Sequence, residues 1–286
     1  MTDFDLIVGR SVAHVLDLLA EYENAWPVAG ATDLLPLVRA GRWRPSLVVD
    51  ITRLDELRYI KPTAGGLEIG ALTTQAELMR SSLVRERAAV LAEAAGCVAG
   101  PQVRARATLG GNICTASPAA DTVPALLVLE AEAVVLHPAG ERRLPLSEFL
   151  IGPGQTALGP GELLQGLWLP ALPPGAGMAF EKLGKRKALT ISVVNAAALL
   201  IAEGGRIQQA RLALGAVAPT VVRCPASEMA LLGLEPGETL FARAAARVQE
   251  TIRPIDDVRA SAAYRRAAAE ALAQRTLLRA WQEVRQ

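Results

Sequence analysis

Cysteine is scarce in this chain and histidine scarcer. The three cysteines, Cys97, Cys114 and Cys224, fall in no CxxC or cluster-ligand spacing, which argues against a metal site or an iron–sulfur cluster held by this polypeptide. An odd cysteine count behind an acidic start, Met1-Thr2-Asp3-Phe4-Asp5, with no apolar export core, indicates free thiols in a reducing cytoplasm. The two histidines are read as structural: His14 within a helical stripe and His137 at a strand end. Long apolar runs are missing too. None approaches the roughly 20 residues that cross a bilayer, so no membrane span is expected. Neither sign of charge dominates, since 30 basic and 29 acidic side chains leave a formal net charge of +1. No whole-molecule field draws in nucleic acid or an anionic membrane. An anion bound here must be held by local backbone geometry.

The chain has 286 residues, of which 51% are hydrophobic and 21% charged. That supplies ample core, argues against disorder and suggests two or three domains. Val12, Val15, Leu16, Leu18 and Leu19 form a helical stripe over residues 11–23, with Ser11 as its N-cap. A short strand at 27–30, a helix at 32–40 and a β-branched strand at 47–51 complete a small α/β unit. A second unit starts with a strand at 67–71. Thr73 or Thr74 caps the next helix, another helix spans 84–96, and an apolar helix covers 123–129. Strands are expected at 133–137 and 163–169, separated by a Gly/Pro-rich loop at 151–161. After Pro170-Ala171-Leu172-Pro173-Pro174-Gly175 the texture changes. Two strands, 192–202 and 207–217, flank the turn Glu203-Gly204-Gly205, and helical spacing runs from 261 to 284. Domains at 1–172 (subdomains about 1–57 and 58–172) and 175–286 follow from this texture.

Two glycine-bearing loops carry the chemistry. The first is Pro27-Val28-Ala29-Gly30-Ala31-Thr32-Asp33-Leu34-Leu35, between a strand and a helix start. The second is Ala107-Thr108-Leu109-Gly110-Gly111-Asn112-Ile113-Cys114-Thr115-Ala116-Ser117-Pro118-Ala119-Ala120-Asp121. Backbone N–H groups neutralise a desolvated pyrophosphate well, and crowd it closely only where no Cβ intervenes. Each loop alone reads as an ordinary turn, and neither matches the G-x-G-x-x-G fingerprint, so a Rossmann domain is unsupported. Asp121 suits either a cofactor hydroxyl or the N-cap of the following helix. Cys114 is read as a small buried apolar residue.

Taken in order, the two loops resemble those of the FAD-binding subunits of the molybdenum hydroxylases, the xanthine dehydrogenase and aerobic carbon-monoxide dehydrogenase family. The agreement continues through Glu162-Leu163-Leu164, Phe180-Glu181-Lys182, Arg186, Ile191-Ser192 and the segment from Asp256 to Arg266. The resemblance implies an α+β fold: a two-subdomain FAD-binding domain of the PCMH type, then a smaller domain with a three-stranded antiparallel sheet and helices. It assigns Val28, Ala29, Gly30, Ala31, Thr32, Asp33, Leu34, Leu35, Thr108, Leu109, Gly110, Gly111 and Asn112 to the FAD pyrophosphate and ribityl region. Val98, Asp121, Leu164 and Lys182 match further family positions that touch the cofactor. No catalytic acid or base towards the organic substrate is implied on this chain.

The implied function is an oxidoreductase subunit of a xanthine dehydrogenase-like complex. Electrons would pass from 2Fe–2S clusters of a small partner subunit to non-covalent FAD here. Molybdopterin would sit on a large partner subunit, within a dimer of heterotrimers. Position 98 is Val where some relatives carry an aromatic residue, and the loop Lys185-Arg186-Lys187-Ala188-Leu189-Thr190 lacks acidic residues that relatives place there. NAD, a quinone and dioxygen therefore all stay open as terminal acceptor. The rivals are a self-contained flavoenzyme of the same superfold, such as an enolpyruvyl-sugar reductase, and a flavin-free assembly protein.

Overall fold

The computed structural model describes residues 4–186 and 189–284. Lys187 and Ala188 of the loop at 185–190, and residues 1–3 of the acidic start, lie outside the described residues.

The N-terminal unit alternates strand and helix, with the strand expected at 27–30 lying at 25–28 and a further strand preceding the first helix. Ser11 caps α1 (Val12–Glu21) by accepting from the His14 N–H, and Val15, Leu16, Leu18 and Leu19 turn inward. They pack on one face of a parallel sheet of β1 (Asp5–Val8), β2 (Ala25–Val28) and β3 (Leu47–Asp50), in the order β1-β3-β2. Side chains alternate across a strand, so Val48 faces the other way and packs with Leu34 and Val38 of α2 (Leu34–Arg39). The helix expected over 32–40 thus starts two residues later, leaving residues 29–33 as a loop.

The second unit is an antiparallel five-stranded sheet with helices on it. β4 (Ile60–Thr63) and β5 (Gly66–Gly70) lead to Thr74, which together with Glu77 forms a capping box on α3 (Gln75–Arg80). The single helix expected over 84–96 is two, α4 (Ser82–Arg87) and α5 (Ala89–Cys97), because Ala88 leaves helical geometry at φ −149° and ψ 50°. Then come α6 (Pro101–Arg104), α7 (Leu109–Thr115), α8 (Thr122–Val128), β6 (Glu132–His137), β7 (Gly140–Pro145) and α9 (Leu146–Phe149). The Gly/Pro-rich stretch read as loop contains a small hairpin, β8 (Leu150–Gly152) with β9 (Gln155–Thr156), turned at Gly154 with φ +71°. β10 (Leu163–Pro170) closes the sheet in the order β4-β5-β10-β6-β7.

The C-terminal sheet runs β11 (Gly177–Leu183), β12 (Val194–Glu203), β13 (Arg206–Gly215) and β14 (Val222–Arg223). Three long antiparallel strands stand as expected; the fourth is only two residues long and carries no periodicity to read. After α10 (Pro225–Met229) and α11 (Glu238–Ala246), α12 (Ala262–Gln282) starts on a Ser261 cap and lies along the sheet. The pair sits closely: a Cβ on Gly177 would come 2.2 Å from the Ala280 carbonyl oxygen. β12 is buried on both faces. Ala196, Ala198 and Leu200 join the C-terminal core, while Ala197 and Leu199 join the core of the five-stranded unit. This shared strand holds the C-terminal sheet against α8 and fixes one wall of the site.

Candidate functional site

A cleft of about 1600 Å³ opens between the two N-terminal units and extends to the C-terminal sheet. Compact ligand pockets measure about 300–1,000 Å³, so this one leaves room for an extended dinucleotide.

The first loop supplies donors. Among the described residues, the backbone N–H groups of Gly30, Ala31, Thr32, Asp33 and Leu34 meet no hydrogen-bond acceptor. Ala31 sits in the left-handed region at φ 61°. A run of free N–H groups bent by a left-handed residue is a concave anion nest. The glycine beside it has a different task from the one the sequence suggests. Gly30 is absent from the positive-φ residues, and a Cβ on it would lie 2.0 Å from the Arg106 carbonyl oxygen. Gly30 lets the first loop press directly on the second, where the Arg106 Nε donates to the Gly30 carbonyl at 3.4 Å.

The second loop is a helix start whose donors are already used. Thr108 caps α7 by accepting from the Gly111 N–H at 3.0 Å, and the Asn112 N–H reaches the Thr108 carbonyl at 3.1 Å. The Leu109 N–H donates to Thr73 and the Gly110 N–H to Ala71, both at 2.8 Å. The expectation that Gly110 and Gly111 aim their amides at phosphate is therefore corrected: these amides bind protein carbonyls and a hydroxyl. What remains is close approach. Gly110 is buried against Ala71, whose Cβ would be 2.6 Å from an added Cβ. Gly111 is exposed to the cleft, and its added Cβ would meet only the Thr108 Oγ1, at 3.0 Å. The Asn112 Oδ1 accepts from the Thr122 hydroxyl at 2.5 Å, which fixes its amide.

Val28, Ala29, Gly30, Ala31, Thr32, Asp33, Leu34, Val98, Thr108, Gly110, Gly111, Asn112, Asp121 and Leu164 all line the cleft. The structure sets Leu35, Leu109 and Lys182 back from it. Leu35 is carried to the outer side by the first turn of α2, and Leu109 is fully buried in the core. Lys182, on β11, donates to the Asp121 Oδ2 at 2.5 Å and to the Cys97 carbonyl at 3.0 Å. Asp121 does not cap α8 through its side chain. Its Oδ1 instead accepts from Ser192 at 2.6 Å and Asn195 at 3.0 Å. This buried network ties the cleft wall to the C-terminal sheet.

Sequence reading missed Ser192 and Asn195 as partners of Asp121, Gln75 in the cleft floor, and the Trp26–Trp43 pair, whose ring centroids are 4.8 Å apart at the cleft edge. Arg265 was also hidden within an Ala/Arg-rich helix. It is buried, donates to the Val193 and Ala216 carbonyls at 2.6 and 2.8 Å, and pairs with Asp257 at 2.8 Å. Burial pushes the Asp257 carboxyl up, but the Arg259 N–H and the Arg265 guanidinium outweigh it and hold the group well below the usual carboxylate range. Burial raises the Asp33 carboxyl above its ordinary value. Burial also pushes the Cys114 and Cys224 thiols up to about 12, leaving both as thiols at neutral pH. Neither histidine lines the cleft. Among the described residues no three His, Cys, Asp or Glu side chains converge as a metal site, and no helix is long and apolar enough to cross a membrane.

The cleft fits a flavin dinucleotide on two counts from the chain itself: an unpartnered N–H nest for its pyrophosphate, and a Cβ-free wall at Gly111. Comparison with known proteins agrees. Residues 2–172 match the family model described as the FAD binding domain in molybdopterin dehydrogenase. Residues 179–280 match the CO dehydrogenase flavoprotein C-terminal domain. The chain is 34% identical to the alpha subunit of the 6-hydroxypseudooxynicotine dehydrogenase complex of Paenarthrobacter nicotinovorans, covering 99% of this chain and 96% of that one. Among solved structures, a chain of carbon monoxide dehydrogenase from Hydrogenophaga pseudoflava superposes with a TM-score of 0.95 at 34% identity, covering 99% of this chain and 98% of that one. A chain of quinoline 2-oxidoreductase from Pseudomonas putida 86 gives 0.93 at 31% identity, over 98% and 97% of the two chains. The chain belongs to the molybdopterin dehydrogenase, or molybdenum hydroxylase, family as its FAD-binding medium subunit, an oxidoreductase flavoprotein subunit.

Proposed function

We propose that this chain holds one FAD non-covalently in the cleft and passes electrons from 2Fe–2S clusters of a partner subunit to a terminal acceptor. The single observation that carries the reading is the run of unpartnered N–H groups at Gly30–Leu34 beside the Cβ-free face of Gly111. The nest would take the pyrophosphate, with Val28 and Ala29 walling its approach. Thr108, Gly110, Asn112, Val98, Asp121 and Leu164 would shape the rest of the cradle. Bound FAD supplies one chemistry here, accepting electrons singly and releasing them in pairs. The protein's part is to bind, orient and shield. Lys182 contributes through Asp121 by holding that carboxylate in place. Molybdopterin would sit on a large partner subunit and the clusters on a small one, as a dimer of heterotrimers in the cytoplasm. Residues 1–172 would form the flavin domain and residues 175–286 the domain that closes it.

Acid precipitation of the purified chain tests the binding mode. The yellow chromophore should remain in the supernatant as FAD; flavin in the pellet, or FMN alone, contradicts the reading. Assays of the chain alone and with its co-purifying partners test the relay. Dye reduction by the lone chain is compatible with it, whereas full turnover of an organic substrate by the lone chain overturns it.

A further inference from the structure

We propose that Gln75 is a further cofactor-binding residue, whose side-chain oxygen accepts a hydrogen bond from a hydroxyl or amino group of the flavin nucleotide. This rests on the reading that the cleft holds FAD. Gln75 is the first residue of α3 and is 0% exposed, yet it borders the cleft. It sits where the two loops meet. Its backbone N–H donates to the Ala107 carbonyl at 2.9 Å, and its Nε2 donates to the Thr108 carbonyl at 3.3 Å. The same strip, Arg106 to Ala107, is the one that Gly30 presses against. The Gln75 Oε1 has no hydrogen-bond partner among the described residues.

Turning the amide over would not satisfy it. That would set two acceptors, Oε1 and the Thr108 carbonyl, against each other, so the Thr108 contact fixes which way the oxygen points. A buried acceptor without a donor destabilises the chain that carries it, and an apolar side chain of similar length would fill the space without that cost. The polar residue gains a use only if something entering the cleft brings a donor. The N–H groups of the nest cannot serve both sides, because an anion in the cleft engages them. The flavin nucleotide carries donors along its length, and one of these would complete the Gln75 oxygen.

Gln75→Leu and Gln75→Met test this in the full chain, with flavin removed and then added back. FAD affinity is read from quenching of flavin fluorescence, and the melting temperature of the flavin-free protein is read separately. Loss of one neutral hydrogen bond should weaken FAD binding about tenfold. The flavin-free melting temperature should stay level or rise, because the orphaned oxygen is gone. Unchanged FAD affinity in either variant overturns the proposal. So does a lower flavin-free melting temperature in both, which would make Gln75 a structural brace for Thr108. Failure of the wild-type chain to bind FAD is distinguishable from these, since it removes the underlying reading whatever the variants do.

Discussion

Alanine at Gly110 and at Gly111 should give opposite results, although the two glycines are adjacent and belong to one motif. At Gly110 the new Cβ would lie 2.6 Å from the Ala71 Cβ and 2.9 Å from its carbonyl oxygen. Neither atom is the end of a flexible side chain, and the same carbonyl accepts the Gly110 N–H, so backbone must move. Overpacking of this kind costs about 1–3 kcal/mol. The gain in helix propensity from glycine to alanine returns up to about 1 kcal/mol. The net is a loss of about 1–2 kcal/mol, which lowers the melting temperature by several degrees in a chain of this size. At Gly111 the Cβ meets only the Thr108 hydroxyl, at 3.0 Å, and otherwise enters the cleft. The flavin-free protein should be as stable as wild type or slightly more so, while FAD binding weakens. Thermal melts without flavin and titrations with FAD, run on both variants, separate the two effects. A Gly110→Ala protein as stable as wild type, or a Gly111→Ala protein with wild-type FAD affinity, would refute this division of labour between the two glycines.

Three further outcomes follow from the same contacts. Ala31→Gly removes a left-handed alanine at φ 61°, so the flavin-free chain should gain about 0.5–1 kcal/mol after the larger unfolded-state entropy of glycine is subtracted; a drop in melting temperature would contradict this. Lys182→Met leaves the Asp121 carboxylate buried without its cation and should cost about 3 kcal/mol or more, with Lys182→Met/Asp121→Asn recovering part of the loss; a single variant that melts with wild type would show the pair to be inert. Because the folded state depresses the Asp257 pKa, the unfolded chain binds more protons around pH 4. The contribution of this carboxylate is full above its unfolded pKa of about 3.8 and is lost as pH falls towards the folded value. Asp257→Asn should therefore flatten the acid limb of the stability profile, and an unchanged acid limb counts against the Arg265 pairing.

Long periodic elements were legible in the sequence. α12 begins at the Ser261 cap and β12 and β13 flank the expected Gly204-Gly205 turn, because each spans enough residues to show its period. β14, with two residues, and the β8–β9 hairpin show none. Both glycine motifs line the cleft, but their glycines serve another physical purpose than the one read from the sequence. The backbone position that needs a left-handed residue is filled by Ala31, while Gly30 and Gly110 serve contacts between loops. Nothing local in the sequence distinguishes these uses. The Asp121 network was illegible for a similar reason: Lys182, Ser192 and Asn195 lie 61, 71 and 74 residues away and converge only because β12 packs beside α8 and β11 pairs with β12. Gln75 gave no signal, since its orphaned oxygen is a property of packing.

The first loop, rather than the double glycine, is proposed as the donor to the cofactor anion. Amide hydrogen exchange on the chain with and without FAD measures this residue by residue. New protection is expected at Gly30, Ala31, Thr32, Asp33 and Leu34 when FAD is added, with little change at Leu109, Gly110, Gly111 and Asn112, whose N–H groups are already bonded within the protein. Protection that appears at Gly110 and Gly111 while the first loop exchanges as before would contradict it.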